Sequence, residues 1–97
     1  MLRTVIKSFA DSRTEGFYIS GSSKAVPANI RAAARRKLFQ LEHARTLSDL
    51  ASPPGNRLEV LRGDREGQWS IRINDRYRLC FRFQDGDAYG VAIVDYH

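Results

Sequence analysis

The sequence predicts an α+β fold: one domain over residues 1–97, with an antiparallel sheet covered by helices on one face. Apolar residues recur every three or four positions before Asn56 and every second position after it, which marks a change from a helical to a strand period. Tight-turn residues separate the alternating segments, and strands joined in this way form an antiparallel meander. A chain of 97 residues supports one hydrophobic core and no second one.

The N-terminal half is predicted to begin with a strand and to continue as helices. Residues 4–9 are partly β-branched and predict a strand. Asp11 and Ser12 are helix-capping types, so a short helix is expected from about residue 13 to Ser20. The longest helix is predicted over about 27–45, with an apolar stripe formed by Ile30, Ala33, Ala34, Leu38 and Leu41. A short turn over 46–50 follows, and the Pro-Pro-Gly-Asn segment at 53–56 ends the helical pattern.

The C-terminal half is predicted to form the sheet. Its alternating segments begin at Leu58, at Trp69, at Arg76 and at Tyr89, and the glycine-bearing loops 63–67 and 85–87 separate two pairs of them. The predicted strands 69–74 and 76–83 place their apolar residues on one parity and their cations on the other. We expect the helix at about 27–45 to cover the apolar face, which carries Trp69, Ile71, Tyr77, Leu79 and Phe81.

Arginine dominates the charge of the chain. Lys and Arg number 16 against 11 Asp and Glu, and 13 of the 16 cations are Arg, giving a net charge of +5. The planar guanidinium suits phosphate, so this balance favours nucleic acid or an acidic protein as a partner, beside the simpler reading of a solvated basic surface. The run at 31–37 on the long helix is open to the same two readings.

The uncovered sheet face is predicted to concentrate four of these arginines. Arg72, Arg76, Arg78 and Arg82 share the parity opposite to the apolar residues. Cations on neighbouring strands repel one another, so the cluster predicts an anion-binding surface. The alternative is a half-solvated sheet in which Glu59, Asp75 and Asp85 offset the charge.

Several function classes are disfavoured by the composition. Cys80 is the single cysteine, and His43 and His97 are the two histidines, so we expect no disulfide, no metal site and no cofactor. No apolar run approaches the ~20 residues of a membrane helix, and no leader is evident at the N-terminus. We therefore expect a cytoplasmic protein. His43 is expected to cap a helix, Cys80 to be a small sheet residue and Trp69 to pack in the core.

Five segments in order resemble the HigB-type toxins of the RelE superfamily. They are 53–58 (PPGNRL), 61–67 (LRGDREG), 69–74 (WSIRIN), 77–81 (YRLCF) and 94–97 (VDYH), and the start of the chain at 5–9 (VIKSF) is similar too. The resemblance implies a fold like that of the microbial ribonucleases. It also implies a toxin of a type II toxin–antitoxin module, which enters the ribosomal A site and cuts mRNA without a metal.

The resemblance also implies site residues. It maps Arg62 and Arg78 to phosphate-binding positions and Asp95, Tyr96 and His97 to the catalytic C-terminal segment. Where some relatives carry a histidine, this chain has Glu59, which is either a catalytic base or a partner of Arg78 or Arg57. We expect further phosphate contacts from Arg57, Arg65, Arg72, Arg76 and Arg82.

Two functions remain open at the level of the sequence. The first is a ribosome-dependent endoribonuclease that is neutralised by a HigA-like helix-turn-helix antitoxin, through which the complex can also reach operator DNA. The second is a catalytically weak or inactive relative that only binds an antitoxin or nucleic acid. His97 is the expected acid/base group, because imidazole titrates near neutral pH.

Overall fold

The computed structural model describes residues 5–21 and 23–95 and confirms the predicted α+β class. Its helices are α1 (Ser12–Ser20), α2 (Arg31–His43) and α3 (Leu47–Ala51), and its strands are β1 (Glu59–Val60), β2 (Trp69–Arg72), β3 (Tyr77–Gln84) and β4 (Asp87–Asp95). Short 3-10 turns cover Ala28–Ile30 and Gly63–Arg65. Within the described ranges, no helix is both long enough and apolar enough to cross a bilayer.

The strands form one sheet in the order β1-β2-β3-β4, with every neighbouring pair antiparallel. This is the predicted meander. Strands β3 and β4 pair from Tyr77 opposite Asp95 to Gln84 opposite Asp87, with a register shift between Cys80 and Arg82. The turn between β2 and β3 therefore lies beside the end of β4.

Residues 4–9 do not form the predicted strand over the part that the structure describes. Ile6 and Phe9 make isolated parallel bridges with Ala88 and Val91 of β4, and Thr4 lies outside the described residues. Gly90 of β4 has a φ of 60°, and its N–H bonds to the Ser8 hydroxyl rather than to a backbone carbonyl. The segment is therefore held to β4 by two separate bridges and the Ser8–Gly90 hydrogen bond, and not by a continuous ladder.

Helix α1 has a defined cap at each end, as predicted. The Asp11 carboxylate accepts a hydrogen bond from the Thr14 backbone N–H at 2.7 Å, which satisfies a donor at the helix start. Gly21 ends the helix with a φ of 76°, where a residue with a Cβ would be strained. The Thr14 hydroxyl accepts from the Ile93 N–H at 3.1 Å and so ties α1 to β4.

Helix α2 is shorter than predicted at both ends. A 3-10 turn follows Pro27, so the α-helix begins at Arg31, and it ends at His43 rather than at residue 45. The chain turns extended at Ala44, which frees Thr46 to cap α3 through a reciprocal pair of hydrogen bonds with Asp49.

The core lies between the helices and one face of the sheet, as predicted. Ile71, Leu79 and Phe81 from the sheet are fully buried, and Trp69 and Tyr77 are half-buried against them. The helical side of the same cluster is supplied by Ile30, Ala34, Leu38, Leu41 and Leu50. We call this side of the sheet the inner face and the opposite side the outer face.

Candidate active site

The outer face holds the polar residues that the pleat turns away from the core. Its cross-strand pairs are Glu59 with Ser70, Ser70 with Cys80, and Arg72 with Arg78. Directly paired residues project from the same side of a sheet, so these side chains are neighbours. The sequence predicts that this face is uncovered, because no helix packs on it. In the structure the face is only partly open, since Ser70, Arg78 and Cys80 are all buried.

A cleft of about 570 Å³ opens at one end of the outer face. Its walls bring together four residues predicted to belong to the site, which are Arg57, Glu59, Arg72 and Arg78, and its other lining residues are Gly55, Asn74 and Asp75. The residues before β1 supply one wall and the turn between β2 and β3 supplies the opposite wall. The cleft thus joins segments that are far apart in the chain.

Arg78 is the most firmly held cation of the cleft. Its Nε donates to the Ser70 hydroxyl at 2.7 Å, and its Nη2 donates to the backbone carbonyl of Arg57. Its Nη2 also lies 4.0 Å from the Glu59 carboxylate. Among the described residues no acceptor bonds to Nη1. The guanidinium is therefore fixed on one edge and offers its other edge to an anion.

Glu59 faces the fixed guanidinium from a more exposed position. Its side chain is 56% exposed, whereas that of Arg78 is 11% exposed. A solvent-accessible carboxylate can take part in general acid/base chemistry. The ion pair with Arg78 fits the prediction that Glu59 is a partner of that arginine. The exposure of Glu59 is compatible with the other prediction, a catalytic base.

Arg57 has a left-handed backbone at the wall of the cleft. Its φ is 47°, a conformation that is uncommon for a residue with a Cβ. This conformation accompanies the hydrogen bond from Arg78 Nη2 to the Arg57 carbonyl. Arg57 is exposed and forms no ion pair with the described residues, so it contributes both its backbone and its guanidinium to the site.

Asn56 supports this wall, a role that neither the helix-ending segment 53–56 nor the family-like segment 53–58 predicts. It is fully buried and donates to Gln40 Oε1 at 2.8 Å and to the Leu50 carbonyl at 2.9 Å. Its carbonyl accepts from the Arg72 N–H at 2.6 Å. Asn56 therefore links α2 and α3 to the strand that bears Arg72.

Lys37 completes the support of Asn56. Its ammonium donates to the Asn56 side-chain oxygen. Burial lowers the pKa of Lys37, and the charges of Arg36 and Arg72 lower it further. Lys37 was predicted as part of a cationic run, and the structure instead turns it towards the loop behind the cleft. Asn56 lies in a loop, where burial leaves no periodic pattern in the sequence. The one available signal was its position after the two prolines at 53–54 and before β1.

Two further outer arginines, Arg72 and Arg76, have acidic partners. Arg72 pairs with Asp75, and Arg76 donates to both carboxylate oxygens of Asp95 at 2.9 Å. The hydrogen bond and charge of Asp95 raise the pKa of Arg76. Acidic side chains thus partly offset the repulsion predicted among the outer arginines. Asp75 does so as the alternative of a half-solvated sheet predicted. Asp85, the third acid of that interpretation, forms no ion pair within the described chain.

Four predicted phosphate contacts do not line the cleft: Arg76, which binds Asp95, and Arg62, Arg65 and Arg82. Arg62 is exposed and immediately precedes the 3-10 turn after β1. Arg65 bonds to Gln68 and lies close enough to Cys80 to affect its pKa, which burial nevertheless raises. Arg82 is exposed, packs beside Gly67 and follows Arg78 by four strand residues, or about 13 Å.

The end of β4 lies beside the part of β3 that bears Arg78, although Asp95 itself lines a separate pocket with Tyr77 and Ile93. Asp95 pairs with Tyr77, and Val94 pairs with Arg78. Asp95 is the last described residue; Tyr96 and His97, which were predicted to be catalytic, lie outside the described residues. His43 is on α2, exposed in its last turn, with Nδ1 2.9 Å from the Phe39 carbonyl, and it does not line the cleft.

Metal-binding geometry is absent from the described part of the chain. No group of three or more His, Cys, Asp or Glu side chains there could hold an ion. The side chains that line the cleft supply three guanidinium groups, the exposed carboxylates of Glu59 and Asp75, and the amide of Asn74.

The helix-backed antiparallel sheet is that of the RelE-like toxins. The fold matches a YoeB–YefM complex from Staphylococcus aureus with a TM-score of 0.61 at 19% identity, covering 99% of each chain. It also matches a YoeB/ParE toxin from Agrobacterium tumefaciens with a TM-score of 0.50 at 18% identity, over 95% of this chain and 96% of that one.

Sequence comparison narrows this class to one family. A family model described as the RelE-like toxin of type II toxin-antitoxin system HigB matches residues 7–97, so the chain belongs to the HigB-like toxin family. Toxin HigB-1 of Vibrio cholerae is 44% identical over 82% of this chain and 85% of its own length. Endoribonuclease HigB of Proteus vulgaris is 33% identical over 96% of this chain and 100% of its own length. The predicted resemblance is confirmed.

Proposed function

We propose that this toxin is an endoribonuclease that cuts mRNA in the ribosomal A site without a metal. The observation that carries the proposal is the cleft in which a fixed guanidinium, that of Arg78, faces the exposed carboxylate of Glu59. The name of the Proteus vulgaris relative, an endoribonuclease, supports the same activity.

Cleavage by this route uses the RNA as its own nucleophile. A base removes the proton of a 2′-hydroxyl, and that oxygen attacks the adjacent phosphorus. The bond to the 5′-oxygen then breaks, and an acid returns a proton to it. Arg78 stabilises the added negative charge at phosphorus, because it is already oriented and loses little freedom when the charge develops. Arg57 and Arg72 hold the flanking phosphates.

His97 is proposed as the main acid/base group, and Glu59 as the competing candidate for base. The assignment requires His97 to reach the cleft from Asp95, two residues away. Arg76 binds both oxygens of Asp95, which ties the end of β4 to the turn whose Asn74 and Asp75 line the cleft. We assign Asp95 and Tyr96 to this C-terminal part of the site, with Asp95 anchoring the strand from which His97 follows.

Dependence on the ribosome follows from the small number of acid/base groups. A ribosome that presents the mRNA in a bent, attack-ready geometry contributes much of the barrier reduction through orientation. Arg62, Arg65 and Arg82 lie outside the cleft, and we assign them to contacts with RNA backbone beyond the scissile phosphate. Such contacts weaken as salt rises.

The partner that restrains this toxin is proposed to be a HigA-like helix-turn-helix antitoxin in the cytoplasm. The complex would reach operator DNA through the antitoxin. Membership of a type II toxin–antitoxin family supports the partner, and the basic surface supports an acidic contact with it.

The test uses three variants in a translation assay with mapped mRNA ends. We expect His97→Ala and Arg78→Lys to lose most cleavage, Glu59→Gln to retain part of it, and EDTA-treated toxin to cut normally in a reaction reconstituted on preassembled ribosomes. An inactive Glu59→Gln beside an active His97→Ala would reassign the base to Glu59. Strong cutting of naked RNA that stops with chelator would overturn both the ribosome dependence and the metal independence.

The second candidate function is a toxin relative that binds without cutting. It is favoured by the ion pair of Arg78 with Glu59 and by the hydrogen bonds that occupy Nε and Nη2. These contacts partly neutralise the cation that the reaction needs. A wild-type chain that binds its antitoxin but neither arrests growth nor cuts mRNA would establish this second function.

A further inference from the structure

A groove between α1 and α2 lies outside the cleft and outside the proposed reaction. It has a volume of about 490 Å³ and is lined by Tyr18, Ile19, Arg35, Leu38, Phe39 and Glu42. None of these residues lines the cleft. The groove is therefore a surface that the toxin can present to a second molecule while it holds RNA.

Two large apolar side chains are exposed to solvent at this groove. Ile19 is 75% exposed and Phe39 is 62% exposed, and they come from different helices. Single exposed apolar residues are ordinary on protein surfaces, but two that line one concavity make a patch. Ile19 belongs to α1 and Phe39 to α2, so the fold, not the local sequence, brings them together.

The rim of the groove is cationic. Arg35 lines the groove, and Arg36 lines an adjoining depression together with Arg35 and Phe39. Both arginines are exposed, and neither forms an ion pair with any residue in the described ranges. A Cβ placed on Gly21 would lie 3.5 Å from Arg35 Nη1, so that guanidinium extends across to the end of α1. At the other end the Tyr18 hydroxyl bonds to Glu42, which leaves that carboxylate already engaged.

We propose that this groove is the docking site for an acidic amphipathic segment of the cognate antitoxin. The proposal rests on the toxin–antitoxin role but not on the cutting of RNA. Apolar side chains of the segment would pack on Ile19 and Phe39, and its carboxylates would meet Arg35 and Arg36. Helices commonly dock in this way, with apolar anchors spaced along one face.

Charge argues against the two other occupants of such a groove. A second copy of the toxin would bring another pair of exposed arginines and a net charge of +5 to the same rim. RNA would satisfy the arginines but would leave the aliphatic side chain of Ile19 without an apolar partner. An acidic segment with apolar anchors complements both parts of the surface.

The position of the groove also means that an antitoxin bound there would not block the cleft. Because the groove and the cleft share no lining residue, the docked segment holds the toxin without occupying the cleft. Substitutions in the groove should therefore release the toxin from its antitoxin and leave its own activity intact.

The test measures binding of the full toxin to the full protein encoded by the neighbouring reading frame. Phe39→Glu should weaken the dissociation constant by about 30-fold or more, as expected for loss of an apolar anchor. Ile19→Glu should act in the same direction, and Arg35→Glu should both weaken binding and reduce its salt dependence. Tyr89→Glu, which introduces the same charge at an aromatic residue 37% exposed on β4, is the matched control and should bind normally.

A second readout separates docking from folding and from catalysis. Each groove variant should melt near the wild-type temperature and should arrest growth even when the antitoxin is co-expressed.

Unchanged binding by both Phe39→Glu and Ile19→Glu, or failure of the wild-type toxin to bind, would overturn the proposal. Concentration-dependent dimerisation abolished by Phe39→Glu would assign the groove to a second copy, and RNA binding abolished by it would assign the groove to nucleic acid. An inactive toxin that still binds through the groove would contradict the proposed cleavage alone.

Discussion

The two faces of the sheet bury residues of different chemistry by different means. On the inner face Ile71, Leu79 and Phe81 are buried by apolar contact with the helices. On the outer face Ser70 and Arg78 are also buried, although one is a hydroxyl and the other a cation. No buried side-chain nitrogen or oxygen in the described residues lacks a hydrogen-bond partner.

The inner face contributes mainly to the stability of the fold, whereas the outer face holds a functional side chain in a fixed orientation. Apolar burial stabilises the fold by about 25 cal/mol per Å² removed from water. Burial of a cation costs free energy unless hydrogen bonds compensate it, so the outer face gains little net stability from Arg78. What it gains is a guanidinium held in one orientation, which is the property that transition-state stabilisation requires.

The largest stability effect is expected on the inner face. Leu38→Ala should lower the free energy of unfolding by about 2–5 kcal/mol, because Leu38 is 3% exposed in the core. The neighbouring Phe39→Ala is the control and should cost well under half as much, because Phe39 is 62% exposed. Urea denaturation of both variants measures the difference, and equal losses would show that the buried stripe of α2 is wrong.

Arg78→Ala is expected to affect activity first and stability second. Loss of an oriented charge should lower the rate of mRNA cleavage by about 10²–10³-fold. The Ser70 hydroxyl and the Arg57 carbonyl also lose their donor, so the free energy of unfolding should fall by about 1–3 kcal/mol. Arg82→Ala, at an exposed position, should change stability by less than about 0.5 kcal/mol. An Arg78→Ala protein as stable as wild type would contradict the buried network.

Ser70→Ala tests whether the network orients the cation. The substitution leaves Arg78 Nε without its acceptor and should cost about 1–2 kcal/mol of stability. Cleavage should fall less than in Arg78→Ala, through kcat rather than KM. Cys80→Ala, at the buried cross-strand neighbour of Ser70, should leave kcat unchanged. A normal kcat in Ser70→Ala would mean that the backbone carbonyls of Arg57 and Ser70 suffice to fix the guanidinium.

The smallest effect is expected at the cap of α3, on the helical side of the molecule. Backbone N–H groups of Arg45 and Thr46 lower the pKa of Asp49 below its ordinary value of 3.8. The folded state therefore binds its proton less readily than the unfolded state, and the stabilisation by Asp49 is present above pH 3.8 and lost as the pH falls through its lowered folded pKa. Asp49→Asn should narrow the stability difference between pH 6 and pH 3 in thermal melts. An unchanged difference would exclude Asp49 as a contributor.

The inner face was predictable because its signal is periodic. The spacing of Ile30, Ala34, Leu38 and Leu41 and the alternation over 69–83 identified the buried sides of α2 and of the central strands. Boundaries were less predictable: α2 begins after a 3-10 turn, and Ile6 and Phe9 make isolated bridges on either side of Gly90 in β4, whose φ is positive. Periodicity reports which side of an element is apolar, and it carries little information about where hydrogen bonding starts or stops.

The outer face was predictable in composition and not in arrangement. Sequence parity places Arg72 and Arg78 on one face, and the resemblance to HigB-type toxins identified Glu59 as a point of departure from some relatives. Neither could reveal that Ser70 and the Arg57 carbonyl bind Arg78, or that Asn56 braces the loop between the helices and β2. These contacts join residues that are far apart in sequence.

By itself, then, the sequence determined the α+β class, the covered face of the sheet, the excess of arginine and the membership of the HigB-like toxin family. Only the tertiary structure decided which arginines share the cleft, which of them is buried, and that Ile19 and Phe39 meet in one groove. The physical reason is that apolar burial depends on local periodicity, whereas a polar site depends on distances between side chains that only the packed chain brings together.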